Sequence, residues 1–305
     1  MSSVATTPAT PPVRPTPPAS PPPAPSRPRR RRPRVAMVMT HAALLVCGVA
    51  WMYPFLWTLG SSLKGTDEFF SRGLNPLPSQ VLWSNYQQAW AQASFGTYFV
   101  NTLLITAGTC VGTLVVTSMA GYVLARAPFP GRGFCLFLIS ATLFLPHGYT
   151  IIPIFDLMER LGLLNSLFSI IIVQAAGGVV FGTFLFMGFF QTIDKELEDA
   201  ARVDGASFHQ TFWRIMLPLS GPMLATVGLF TTISAWNSYF IPLVFTLARP
   251  EQRTLSVGMY AFIGENSTQW TLLCAGSVIT LVPIIVLFVL LQRFFVNGLA
   301  GAIKG

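Results

Sequence analysis

Charge is what this sequence has least of. Of 305 residues, 10% are charged and 52% hydrophobic, whereas a soluble globular chain is about 25% charged. Water is therefore excluded as the solvent for most of the chain, and the composition points to an all-α polytopic membrane protein. Lysine is scarcer still. Lys64, Lys195 and Lys304 are all there is, and none precedes Ser or Thr. A P-loop needs that pair to hold phosphate and Mg²⁺, so ATP is not bound by that route. No acidic residue falls inside an expected span, which removes the intramembrane carboxylate of a proton-coupled carrier. His41 and His147 stand alone near span ends and read as structural histidines. The cysteines (Cys47, Cys110, Cys135, Cys274) lie in apolar runs without metal-ligand spacing. No cluster suggests a metal and no Ser/His/Asp set suggests a catalytic residue. An enzyme is disfavoured; a passive pore, or a subunit powered by another protein, remains.

What charge there is sits unevenly. The formal charge of +8 would suit a nucleic-acid surface if it were spread over a fold. Instead residues 1–34 hold seven arginines, twelve of the 24 prolines and no acid. Such a segment cannot bury enough apolar surface to fold, and it reads as a disordered cytoplasmic tail with no nucleic-acid partner. A polyproline ligand is the other reading of the same residues. The apolar run that follows has no small-residue cleavage site and reads as a retained anchor.

From residue 35 to 305, stretches free of Asp, Glu, Lys and Arg recur, each able to supply the roughly 20 apolar residues of a spanning helix. They predict six transmembrane helices near 36–60, 98–124, 134–155, 166–188, 218–245 and 270–292. With the N-terminus in the cytoplasm, fourteen of the nineteen Lys and Arg residues fall inside and five outside. Both termini are therefore expected in the cytoplasm.

The acids concentrate in one cytoplasmic loop, about 190–216, where five of the eleven lie between Asp194 and Asp204. Asp194 can cap a helix, and Glu196, Glu198 and Asp199 complement its dipole. Leu197, Ala200, Ala201 and Asp204 share a face that the alanines keep shallow enough for another protein. Gly205 suits a left-handed stop, and Ser207 with Gln210 forms a capping-box pattern for a second helix. A hairpin that merely joins two spans at the interface would carry the same local signals.

The loop also resembles the EAA loop of ABC-importer permeases: Glu-Ala-Ala, three residues, Gly, nine residues, Ile, one residue, Leu-Pro. Asp199, Ala200, Ala201, Gly205, Ile215, Leu217 and Pro218 occupy those positions. Only Asp199 departs, keeping the charge but shortening the reach by one methylene. The Tyr53-Pro-Phe-Leu-Trp57 and Ser61-Ser-Leu-Lys64 stretches, Asn85-Tyr86, Ala125-Arg126, Phe129-Pro-Gly-Arg132, Leu161-Gly-Leu163, Trp236-Asn237, Pro242-Leu243 and the ending Gly301-Ala-Ile-Lys-Gly305 are similar to the carbohydrate, maltose-type branch, specifically its second six-span subunit.

The resemblance implies a type I ABC-importer permease fold in a bacterial plasma membrane. It implies a sugar cargo, a di- or oligosaccharide. The partners would be a homologous permease subunit, two ATPase subunits that carry ATP and Mg²⁺, and an extracytoplasmic solute-binding protein, with membrane lipid around the spans. No cofactor is expected on this chain. The coupling residues would be Asp199, Ala200, Ala201, Asp204, Gly205 and Ala206, with Lys304 as a second contact.

In the fifth span Ser234, Trp236, Asn237, Ser238 and Tyr239 are substrate-path candidates, since sugars take amide, hydroxyl and aromatic partners. Helix packing would explain them equally well. A glycerol phosphate or polyol importer, or an autonomous channel, are the alternatives. A phosphate cargo would call for basic groups in the pathway, and no Lys or Arg lies inside an expected span.

Overall fold

The structure, a computed structural model, describes residues 34–144, 148, 150–264 and 267–302, with side-chain surroundings given from Met37 to Leu290. The expectations for residues 1–33 and for Lys304 lie outside the described residues. The chain divides into two compact units, one ending at Trp51 and the other beginning at Met52. The first contains the N-terminal part of α1 (Arg34–Ser61), and the side chains of Met37–Trp51 are exposed. All further elements belong to the second unit.

Two short helices, α2 (Thr66–Ser71) and α3 (Ser84–Gln92), precede α4 (Phe95–Arg126). Then come α5 (Arg132–Thr142), α6 (Ile151–Arg160), α7 (Leu167–Thr192) and α8 (Lys195–Val203). α9 (Phe208–Leu219) turns by 76° into α10 (Gly221–Trp236). It is followed by α11 (Phe240–Phe245), α12 (Leu255–Gly258) and α13 (Trp270–Ala302). Among the described residues no strand forms, only an isolated antiparallel bridge between Ile263 and Thr268.

Among the described residues, four helical stretches are long and apolar enough to cross a membrane: Met37–Ser61, Phe95–Arg126, Leu167–Thr192 and Trp270–Leu290. The bent pair α9–α10 makes five if it counts as one span. The first, second, fourth and sixth expected spans are thus found within a few residues, apart from longer C-terminal ends. The other two are not continuous helices. The third, expected over 134–155, is divided between α5 and α6, and Gly148 between them has φ +104, a conformation no right-handed helix contains.

The fifth, expected over 218–245, is bent next to Ser220 and interrupted at Asn237–Tyr239. Pro242 does not make that interruption by kinking a helix from within. It is the third residue of α11, in a first turn where a missing N–H costs nothing.

α4 is the central element. Near its start Phe95 joins Ala89, Trp236, Leu255, Phe262 and Ala275 in one apolar cluster. In its middle Ile105 packs with Met158, Ile170, Val173 and Phe245. Near its end Tyr122 packs with Phe186, Phe190, Phe212 and Met216. Between these clusters α4 meets α7 through small residues. Thr102, Thr106, Thr109, Thr113 and Thr117 form a buried stripe at helical spacing. Gly178 and Gly182 of α7 lie against it: a methyl on either would stand 3.1 Å and 2.7 Å from Thr113 and Thr117. Lipid tails are as apolar as Leu, so close backbone approach and van der Waals contact hold such a pair, not apolar transfer from water.

Candidate functional site: a cytoplasmic loop and a polar cavity

The acidic loop folds as its residues dictate. Asp194 occupies the N-cap of α8 with extended backbone, although its side chain makes no capping hydrogen bond. Gly205 closes the helix at φ +81, and Ala206 N donates to Ala201 O at 2.9 Å. The expected capping box is complete: Gln210 N donates to Ser207 Oγ at 3.3 Å, and Ser207 N to Gln210 Oε1 at 2.8 Å. A π turn at Phe212–Met216 widens α9 before the bend at Ser220.

α8 has an anchored side and a free side. On the anchored side Glu198 and Ala201 are buried. Arg126 Nε of α4 lies 2.9 Å from Glu198 Oε1, and the two side chains are only 4% and 6% exposed. Another nitrogen of the same guanidinium donates to Ile193 O, the C-cap of α7. One turn earlier on α4, Tyr122 stacks on Phe208 with centroids 4.7 Å apart, beside Phe190 and Phe212.

The free side carries Asp199, Ala200, Asp204 and Gly205, all exposed, with Ala206 half-buried at its edge. Asp199 has only an exposed ion pair with Arg202 at 3.5 Å, a contact of little energetic weight. The face expected from sequence is therefore divided. Ala201 points into the chain, while Ala200 and Asp204 remain available. The meeting of Arg126 with Glu198 was not legible in the sequence, because it joins residues more than 70 positions apart, and Tyr122 carried no local signal. The cue was the Arg at the end of α4, where a cation also suits the helix dipole.

The substrate-path candidates separate in the same way. Ser234 and Ser238 line a cavity of about 260 Å³ between α4, α7 and α10. Thr109, Gln174 and Thr231 add polar groups to it, and Gly177 and Gly178 bring bare backbone to its wall. Among the described residues no charged side chain lines it. Gln174 Nε2 is buried without a hydrogen-bond partner among the described residues, and Gln174 Oε1 accepts from Thr109 Oγ1 at 3.5 Å, a long contact.

Trp236 belongs elsewhere. It is 4% exposed, its Nε1 donates to Thr280 O at 3.1 Å, and Phe99 meets it edge-on. Asn237 is exposed but spends its amide on Ile233 O. Tyr239 stacks with Tyr260 at 5.6 Å, outside the cavity lining. Thr109, Gln174 and Thr231 were legible only as polar residues within apolar helices.

Comparison with known proteins places both features in one context. Residues 114–301 match the model of the binding-protein-dependent transport system inner membrane component family. The chain is 37% identical to the probable ABC transporter permease protein YurM of Bacillus subtilis (strain 168), over 84% of this chain and 85% of that one. It is 31% identical to the melibiose/raffinose/stachyose import permease protein MelC of the same organism, covering 90% and 99% of the two chains. Against the diacetylchitobiose uptake system permease protein NgcG of Streptomyces coelicolor the identity is 31%, covering 84% of each.

A solved bacterial ABC transporter involved in import of the acidic polysaccharide alginate contains a chain similar in structure, with a TM-score of 0.77. Its identity is 27%, and the match covers 88% of this chain and 100% of that one. The matched family region includes the acidic loop, the cavity-lining parts of α7 and α10, and the α4 end that grips the loop. This multi-pass membrane protein belongs to the binding-protein-dependent transport system inner membrane component family.

Proposed function

We propose that the chain is one of two permease subunits of an ATP-driven sugar importer, with α8 as its coupling helix. The observation that carries the reading is the free side of α8. Asp199, Ala200, Asp204 and Gly205 form an exposed shallow face on a helix whose other side is fixed by Glu198 and Ala201. A hairpin that only joined two spans would have no need of an anchored back and an open front. On this reading the face sits in a groove on a cytoplasmic ATPase, a second ATPase serves a homologous permease, and a solute-binding protein delivers cargo from outside. ATP and Mg²⁺ act on the ATPases. Lys304 supplies a second contact there.

The topology that goes with this function has six crossings and both termini in the plasma-membrane cytoplasm. α5 and α6 together make the third crossing, and α10 with α11 the fifth. A broken helix is tolerated at membrane depth where it borders a protein-lined cavity, and the break at Asn237–Tyr239 contains Ser238, which lines one.

A di- or oligosaccharide is the cargo that the cavity chemistry supports. Its hydroxyl and amide groups from Thr109, Gln174, Thr231, Ser234 and Ser238 suit a neutral polyhydroxylated ring. No cation lines the cavity among the described residues, which speaks against a phosphorylated cargo at this position. The names of MelC and NgcG, both sugar permeases, point the same way.

The test is assembly and transport. The full chain should co-purify with an ATPase, and Ala200→Asp or Gly205→Asp should abolish that association while leaving the chain in the membrane. Sugar uptake into liposomes by this chain alone, without ATP, would overturn the reading in favour of an autonomous channel.

A further inference from the structure

We propose that Arg126 is the positioning residue that fastens the coupling helix to α4, so that α8 and α4 move as one body; this rests on the importer reading above. In the chain, α8 is joined only to α7 and α9, through short turns at each end. In space Glu198, on its inner face, meets Arg126 of α4. Arg126 Nε forms an ion pair with Glu198 Oε1 at 2.9 Å, and another nitrogen of the same guanidinium donates a hydrogen bond to Ile193 O. One planar fork thus grips the end of α7 and the middle of α8 together, a geometry that a flexible ammonium does not reproduce.

Burial decides how much this contact can transmit. With side chains 4% and 6% exposed, solvent neither screens the pair nor competes for it as it does for Asp199–Arg202. The second attachment is aromatic: Tyr122 stacks on Phe208 at 4.7 Å and reaches Phe212 at 5.2 Å. α4 therefore touches both helical arms of the loop although it adjoins neither in sequence.

What α4 is attached to gives the fastening its purpose. Gly121 lies so close to α7 that a methyl there would stand 2.6 Å from Phe186 Cβ and 2.9 Å from Met187 N. Further back on the same helix, Thr109 lines the polar cavity. At about 1.5 Å per residue, that is roughly 25 Å from Arg126. A displacement of α8 thus reaches the cavity wall along one unbroken helix, without passing through the bends at Ser220 and Asn237.

The experiment uses the full assembly of this chain with its partner permease and ATPases, with ATP as the only added ligand. Spin labels go on cysteines at Lys195, exposed in the first turn of α8, and at Val116, exposed on α4, in a background without the native cysteines. A second pair, Lys195 with exposed Val289 of α13, reports that ATP moves the loop at all. The expected result is an unchanged Lys195–Val116 separation on ATP binding in the parent, while the Lys195–Val289 separation changes.

With Arg126→Met the first separation should also change, by about 2 Å or more. The doubly apolar Arg126→Met/Glu198→Met, which leaves no buried charge unpaired, should behave alike, and Arg126→Lys should fall between. A parent in which α8 already moves against α4 would overturn the proposal. So would variants that keep the parent's fixed separation, or that lose the ATPase and folded protein together. A parent assembly that retains no ATPase, or in which ATP alters neither distance, would instead overturn the importer reading beneath it.

Discussion

A methyl group on Gly182 would stand 2.7 Å from Thr117 Cγ2, closer than carbon atoms pack. α4 and α7 approach to this degree because glycine faces threonine along the seam. Gly182→Ala and Gly121→Ala should each cost about 1–3 kcal/mol by forcing the helices apart. Gly177→Ala, on the same helix but with nothing within 4 Å of the added carbon, should be close to neutral. Thermal unfolding in detergent separates the outcomes; equal melting of the Gly177 and Gly182 variants would refute the seam.

At Gly205 the lack of a side chain matters for the backbone rather than for the neighbours. No atom lies within 4 Å of a carbon built there, yet its φ is +81. Gly205→Ala should therefore cost about 1–2 kcal/mol from the left-handed conformation alone. Gly205→Asn should cost less, because Asn visits that region more readily. Hydrogen exchange of α8 would show faster opening in the Ala variant than in the Asn variant. The reverse order would mean that space, not φ, dictates glycine.

These positions show what kind of information the sequence held. Gly205, Ser207 and Gln210 were readable because a helix stop and a capping box are local, set by residues a turn apart. The long spans were readable from uninterrupted apolar runs. The third and fifth were misjudged as continuous because hydropathy reports the solvent around a segment and not its backbone path. Gly148 and the Asn237–Tyr239 break are backbone events inside apolar text. The Arg126–Glu198 pair and the Thr109–Gln174 cavity depend on which helices become neighbours, and no short-range pattern specifies that. Trp236 carried a plausible sugar-binding side chain, but its burial against Phe99 and Thr280 is a tertiary fact.

The division between core and cavity in α10 is open to measurement. Trp236→Ala should destabilise the protein by about 3–5 kcal/mol, as removal of a fully packed large aromatic does. Gln174→Ala and Ser234→Ala should leave thermal stability almost unchanged and lower sugar uptake in the reconstituted transporter. Gln174→Ala removes a buried nitrogen that has no partner among the described residues, so little native bonding is lost with it. Unaltered uptake in the Gln174 and Ser234 variants would show that cargo passes by another face.

Outside the spans, Glu68 offers a pH-dependent test. Ser79 N and Oγ both donate to Glu68 Oε1, at 2.6 and 2.7 Å, and Arg72 Nε lies 3.5 Å from the same oxygen. The Ser79 hydroxyl bond is the main cause that holds this carboxyl below its ordinary range. Partial burial opposes it, and the Ser79 backbone bond, Arg72 and Lys64 assist. A carboxylate whose pKa is lowered by folding stabilises the fold above its unfolded pKa, and that contribution fades as pH falls through the lowered value.

Ser79→Ala should raise the Glu68 pKa, so that acid loosens the segment 66–82 at a higher pH than in the parent. Hydrogen exchange of that segment, followed across an acid series, should show the midpoint displaced upward in Ser79→Ala. Gln80→Ala, which changes a neighbour that makes no hydrogen bond to Glu68 among the described residues, should leave it in place. Because the Ser79 hydroxyl bond outweighs the Arg72 attraction, added salt should move the parent midpoint less than the Ser79 substitution does. A midpoint that follows ionic strength and ignores Ser79→Ala would assign the effect to Arg72 instead.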